Sequence, residues 1–290
     1  MKKSALFTQA AALCAFVFLL RAPLTISDSV REGLLFCAQT VIPSLFVYMV
    51  PANMFSGAPA LFPGRALPYA LILTGVLCGS PSGADAVMRL LESGSINEKQ
   101  AECLLAVSGN ASAPFIISFA GAAVTGSAKA GAIMLALKVA VSALSWMIVS
   151  RLRLSKSERR FAVRAAISGC GLTESLKRSV RTVADICGCI VFFAAVSESV
   201  ISLTACGETT GCILRGIFEF SGGIGESVSL GAGLRYAIVC ALLGWQGMSV
   251  HLQVSVICGG MIRLWTYIAV KIAESAEMLL LGVLTKGLVI

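Results

Sequence analysis

Ionisable side chains stand inside otherwise apolar stretches at Lys138, Asp185, Glu198, Arg263, Lys271 and Glu274. Charge is costly at membrane depth, so such residues are functional candidates by default, as counter-charges to a solute or as links in an ion path. Lys138 and Lys271 carry the strongest pattern. Ala136-Leu137-Lys138-Val139-Ala140-Val141-Ser142-Ala143 returns as Ala269-Val270-Lys271-Ile272-Ala273-Glu274-Ser275-Ala276. Each copy follows a stretch interrupted by glycine, serine and an amide. These are Ser108-Gly109-Asn110-Ala111-Ser112-Ala113-Pro114 in the first half and Gly244-Trp245-Gln246-Gly247-Met248-Ser249 in the second. Interrupted helices at corresponding places in two membrane half-proteins point to a carrier whose solute binds between repeats. Either lysine could instead snorkel to an interface.

The interruptions have the chemistry of an anion cradle. Around Gly79-Ser80-Pro81-Ser82-Gly83, glycine ends one helix, serine can cap the next, and proline fits a first turn, predicting a helix from Ser82 to about Ser93. Ser112-Ala113-Pro114 opens a second helix, from Phe115 to about Thr125. The N–H groups at such starts lack intrahelical partners, and the dipole adds about half a positive charge. Between them, Ser95 or Asn97 caps a helix restart at a membrane surface. In the second half the polar groups gather at Glu219-Phe220-Ser221-Gly222-Gly223 and from Gln246 to Gln253, including His251, the only histidine. The expected solute-binding residues are Ser80, Ser82, Gly83, Asn110, Ser112, Glu219, Ser221, Gln246, Ser249 and His251.

The elements that must position these groups follow from composition. Hydrophobic residues make up 57% of the 290-residue chain and charged residues 13%, against about a quarter charged in soluble domains. An all-α polytopic membrane protein is the expected fold class, with two inverted repeats, each holding a re-entrant hairpin and broken helices. The expected organisation is an N-terminal transmembrane helix over 1–27, a first repeat over 28–150, a basic loop over 151–181 and a second repeat over 182–290. The stretch 67–78 is too short to cross about 30 Å of hydrocarbon, which takes roughly 20 residues. Lys2 and Lys3 precede an apolar run without a good A-x-A site, so this run reads as a retained helix.

The net charge of +8 concentrates in Arg151, Arg153, Lys156, Arg159, Arg160, Arg164, Lys177, Arg178 and Arg181, which places that loop in the cytoplasm. Only Phe161 interleaves the cluster, so nucleic-acid binding is not expected. Most cysteines lie in apolar segments and read as structural thiols. No metal or cofactor is expected. The chain has no G-x-S-x-G, H-E-x-x-H or Walker motif and no second histidine, so neither an enzyme nor an ATP-driven pump is expected.

Beyond these readings, the chain resembles the YlbJ (SpoVV) family of sporulation integral membrane proteins, within the wider group of nucleoside-recognition Gate domain proteins. The likeness rests on Cys78 to Ala84, Glu98 to Leu105, Asn110 to Ile117, Glu219 to Gly223, Gly244 to Val254 and Ile262-Arg263, in the same order over residues 28–285. It implies a fold similar to the concentrative nucleoside transporters and movement of dipicolinic acid across the outer forespore membrane of a spore-forming bacterium. The chain departs from the family pattern at Ser80, where an aromatic is usual, and at Asp85, where a lysine is frequent. It departs again at Gly244-Trp245-Gln246-Gly247-Met248-Ser249, where the family reads Gly-Phe-Gly-Gly-Phe-Ser. The expected partners are a small anionic solute and the lipid bilayer, with a homo-oligomer or sporulation membrane partners left open. A nucleoside or other small-metabolite carrier, and a non-transporting scaffold in spore assembly, are the rival expectations.

Overall fold

The computed structural model describes residues 16–17, 20–21, 23–54, 61–62, 64–161, 171–204 and 206–289. The expected N-terminal helix falls mostly outside them. Among the described residues the chain is helical, and one isolated backbone pairing, Gly64 with Phe161, stands in place of any strand. Helix α1 (Pro23–Phe36) passes through a π-helical stretch (Cys37–Val41) into α2 (Ile42–Met54). Then come α3 (Leu67–Cys78), α4 (Ser80–Glu92), α5 (Glu98–Ser108), the π-helix Phe115–Thr125 and the long α6 (Ala128–Arg153). The second half runs through α7 (Leu172–Ile201), α8 (Glu208–Phe218), α9 (Phe220–Glu226), α10 (Ala232–Trp245), α11 (Gly247–Cys258) and α12 (Trp265–Thr285).

Helix α6, helix α7 and the run from α10 through α11 are each long and apolar enough to cross a bilayer. The α1–α2 pair, bent by 52°, adds a fourth span if it counts as one. Helix α3 and the π-helix are apolar but have only 12 and 11 residues, short of a crossing. Leu24, Leu152, Val256, Trp265 and Leu284 point outward and are largely exposed, while Lys138, Lys271, Glu274 and Gln246 are fully enclosed. An apolar exterior over an apolar core that encloses a few charged and polar groups is consistent with an all-α membrane protein.

Local chemistry explains where the helices stop. The Gly79 N–H still bonds Gly75 O at 2.8 Å, and Gly79 then takes φ +89°, a conformation open to glycine. Helix α4 restarts at once with Pro81 in its first turn. It begins at Ser80 rather than at the expected Ser82, because Gly79 occupies the cap position. Ser82 Oγ instead donates back to Cys78 O. Asn97 caps α5 through a reciprocal box, with Gln100 N donating to Asn97 Oδ1 and Asn97 N to Gln100 Oε1. Ser95 therefore does not serve as that cap. A Cβ added at Gly75 or Gly83 would overlap the Ser108 carbonyl, so glycine at both lets α3, α4 and α5 close on one point.

Candidate solute site

Four helix interruptions converge on one cavity of about 60 Å³, room for a few waters or part of a compact solute. Its wall takes Gly79, Ser80 and Pro81 from the α3–α4 break, and Asn110 to Ser112 with Phe115 from the unwound segment after α5. Glu219, Phe220 and Ser221 come from the α8–α9 break, and Gln246, Ser249 and Gln253 from the α10–α11 break and α11. Apolar side chains of α2 and α7, among them Leu45, Met49, Ile186 and Ile190, close the remaining side. Ser249 Oγ and Gln246 Oε1 are buried here without a hydrogen-bond partner. An unmet buried polar atom is costly unless something arrives to pair with it.

Gln246 is strained as well as unmet. Its φ of +68° makes it the one non-glycine residue with positive φ among the described residues, which costs on the order of 1 kcal/mol. Its Nε2 donates to Gly109 O at 2.8 Å, across the two halves. Lys271 Nζ donates to the same carbonyl at 2.5 Å. The unwound segment after α5 is thus held by second-half side chains.

Behind that segment lies the charged centre. Lys138 Nζ and Lys271 Nζ stand 2.6 and 2.7 Å from Glu274 Oε2, all three side chains being wholly enclosed. The two copies of the octapeptide therefore supply two ammonium groups that share one carboxylate oxygen. Ser142 Oγ lies 3.0 Å from Asn110 Oδ1 and 3.2 Å from Glu274 Oε1, so its one proton serves either acceptor. Asn110 Nδ2 donates to Val107 O, which leaves it one further N–H. Snorkelling is overturned for both lysines: each turns inward to the shared carboxylate.

Of the expected site residues, Ser80, Asn110, Ser112, Glu219, Ser221, Gln246 and Ser249 line this cavity. Ser82, Gly83 and His251 do not. Gly83 packs on the Ser108 carbonyl. His251 lies behind the wall, its Nδ1 3.0 Å from the Tyr267 hydroxyl and its ring 4.4 Å from that of Trp245. Ser82 faces a second cavity of about 570 Å³ that adjoins the first at Pro81, Ile186 and Gln253 and is also lined by Asp85, Arg178 and Asp185. Arg178 Nη1 meets Asp85 Oδ2 there at 3.0 Å. Glu219 and Ser221 reach the wall but bond each other: the carboxylate accepts from Ser221 N, Ser221 Oγ and Gly222 N. Of the other buried-charge candidates, Glu198 pairs with Arg215, and Arg263 is exposed in the turn before α12.

Sequence reasoning missed the partnership of Glu274 with Lys138, and missed Ser142. The repeat held the signal, because Ser142 and Ser275 occupy the same place in the two octapeptides, one residue after Val141 and Glu274. Comparison of the chain with protein-family models, with curated proteins and with solved structures gave no match.

Proposed function

We propose that the chain is an integral membrane carrier of a small anionic metabolite, with dipicolinate the first solute to test. In this reading residues 28–150 and 182–290 are two inverted repeats that meet at the cavity. The observation that carries it is the convergence of four helix interruptions, two from each half, on buried polar groups that lack partners. The order of elements supports the repeat. In each half a broken pair, a turn, a second broken segment and a turn lead to a helix bearing one octapeptide.

The electrostatics suit an anion that must also leave. The start of α4 offers partial positive charge at the wall, and the two ammonium groups stand one layer back, behind Gly109. No lysine or arginine among the described residues lines the wall, so a dianion would meet helix-start N–H groups and the free Asn110 N–H without a permanent ion pair that would hold it. The opposing Glu219 carboxylate is already bonded to Ser221 and Gly222. The family likeness supplies the solute and the outer forespore membrane as the setting. A second reading, a neutral nucleoside, is favoured by Glu219, whose carboxylate would repel a dianion but accept hydroxyl donors.

Uptake by proteoliposomes of the purified protein, with dipicolinate and uridine side by side, tests both. The anion reading expects dipicolinate flux that uridine does not compete. Uridine flux competed by other nucleosides supports the second reading, and no flux of either solute overturns the first. Asn110→Leu and Ser112→Leu are expected to abolish uptake while membrane insertion and elution volume stay unchanged. Unaltered uptake would remove both residues from the site.

A further inference from the structure

The basic stretch after α6 forms a recess rather than a diffuse charged loop. Arg65, at the foot of α3, converges with Arg151, Lys156, Arg159 and Arg160 on one open cavity of about 750 Å³. Among the described residues no acidic side chain lines it. The nearby Glu158 is committed elsewhere: its carboxylate accepts from Ser155 N at 2.7 Å and faces Lys99. The Ser155 amide, followed by its hydroxyl, holds that carboxyl below the usual range and keeps it charged.

The recess has a built floor. Gly64 N donates to Phe161 O at 2.8 Å, which folds the loop back onto the chain leading into α3. Phe161 packs on Trp146 with ring centroids 5.9 Å apart, and Arg159 Nε donates to Leu154 O. The side of the recess next to α3 and α6 is apolar and aromatic, made by Tyr69, Trp146 and Met147. From Tyr69 an exposed line continues along α3 through Leu73 and Leu77, at the four-residue spacing that keeps one helix face. Cations at one end, aromatics next to them and an apolar track running on from these match the layers of a lipid molecule.

We propose that this recess is a specific site for an anionic phospholipid, its phosphate held by the arginines and its acyl chain laid along Tyr69, Leu73 and Leu77. Orientation by positive charge alone would not require the cations to converge beside an apolar track. The inference rests on membrane insertion and not on the carrier reading.

The test uses Trp146 as reporter in a Trp245→Phe, Trp265→Phe background, in vesicles containing phosphatidylglycerol or phosphatidylcholine with brominated tails. Brominated phosphatidylglycerol is expected to quench Trp146 at a mole fraction at least about tenfold lower than brominated phosphatidylcholine. Arg151→Gln with Arg160→Gln should remove that preference, and Lys at both positions should keep much of it. Native mass spectrometry of the unaltered chain gives a second reading, as retained phosphatidylglycerol against phosphatidylcholine. Equal quenching with equal retention overturns the site. So does loss of the preference on adding inorganic phosphate alone, which would make the recess a general anion site.

Discussion

Two clusters of cations in this molecule obey opposite rules. Lys138 and Lys271 are enclosed and share Glu274, whereas Arg65, Arg151, Lys156 and Arg160 stand open around a recess that no carboxylate of the described residues lines. Burial explains the difference. Stripping water from an ammonium group costs several kcal/mol, which only a close, hydrogen-bonded partner offsets. At the surface, water and counter-ions do that work, and a pair adds about 0–1 kcal/mol. Pairing marks the inner cluster as part of the packed structure, and its lack leaves the outer one open to a ligand.

The largest break in this contrast should come from Glu274→Gln, which leaves two enclosed ammonium groups without their anion. A loss of about 3–5 kcal/mol is expected in unfolding from mixed micelles, and a loss under 1 kcal/mol would mean that the lysines do not depend on the carboxylate. Replacing the whole set, Lys138→Met, Lys271→Met and Glu274→Leu, should restore most of that stability, because apolar side chains of similar volume often match a buried ion network. Uptake should nonetheless be lost in this variant, since Gly109 O would keep only the Gln246 donor; retained flux would separate the charges from transport. Gln246→Gly relieves the positive φ, worth about 1 kcal/mol, but loses the bond to Gly109 O, so stability should change by under about 1 kcal/mol while uptake falls. Undiminished uptake would leave Gln246 a mere turn residue. The smallest effect belongs to the outer cluster. Arg151→Gln and Arg160→Gln should each shift stability by less than about 0.5 kcal/mol, and a larger loss would show that these arginines are structurally bound.

The parts of the fold that could be read in the chain were those set by neighbours in sequence. Gly79, Ser112 with Pro114, and Asn97, one of two caps the sequence offered, fix helix ends through bonds spanning four residues or fewer, and all appear close to where their chemistry put them. Contacts across the chain were not legible. Glu274 reaches Lys138 over 136 positions, and only the repeat of the octapeptide links the two, with no local pattern that pairs them. His251 looked like a polar group facing a path, yet its surroundings, Trp245 and Tyr267, are set by how α11 meets the end of α10 and the start of α12. The π-helical winding of Phe115–Thr125 was likewise hidden, since an apolar run ending at Gly126 suits several helical pitches.

The doubly bonded carbonyl of Gly109 bears on how such a protein can be rebuilt. Its acceptor lies in one half and both its donors in the other, so neither half completes its own irregular stretch. Chimaeras that exchange a single half with a distant homologue should fail unless Lys271 and Gln246 travel with the segment they secure. A chain divided within the basic stretch should regain function only when both fragments are made together.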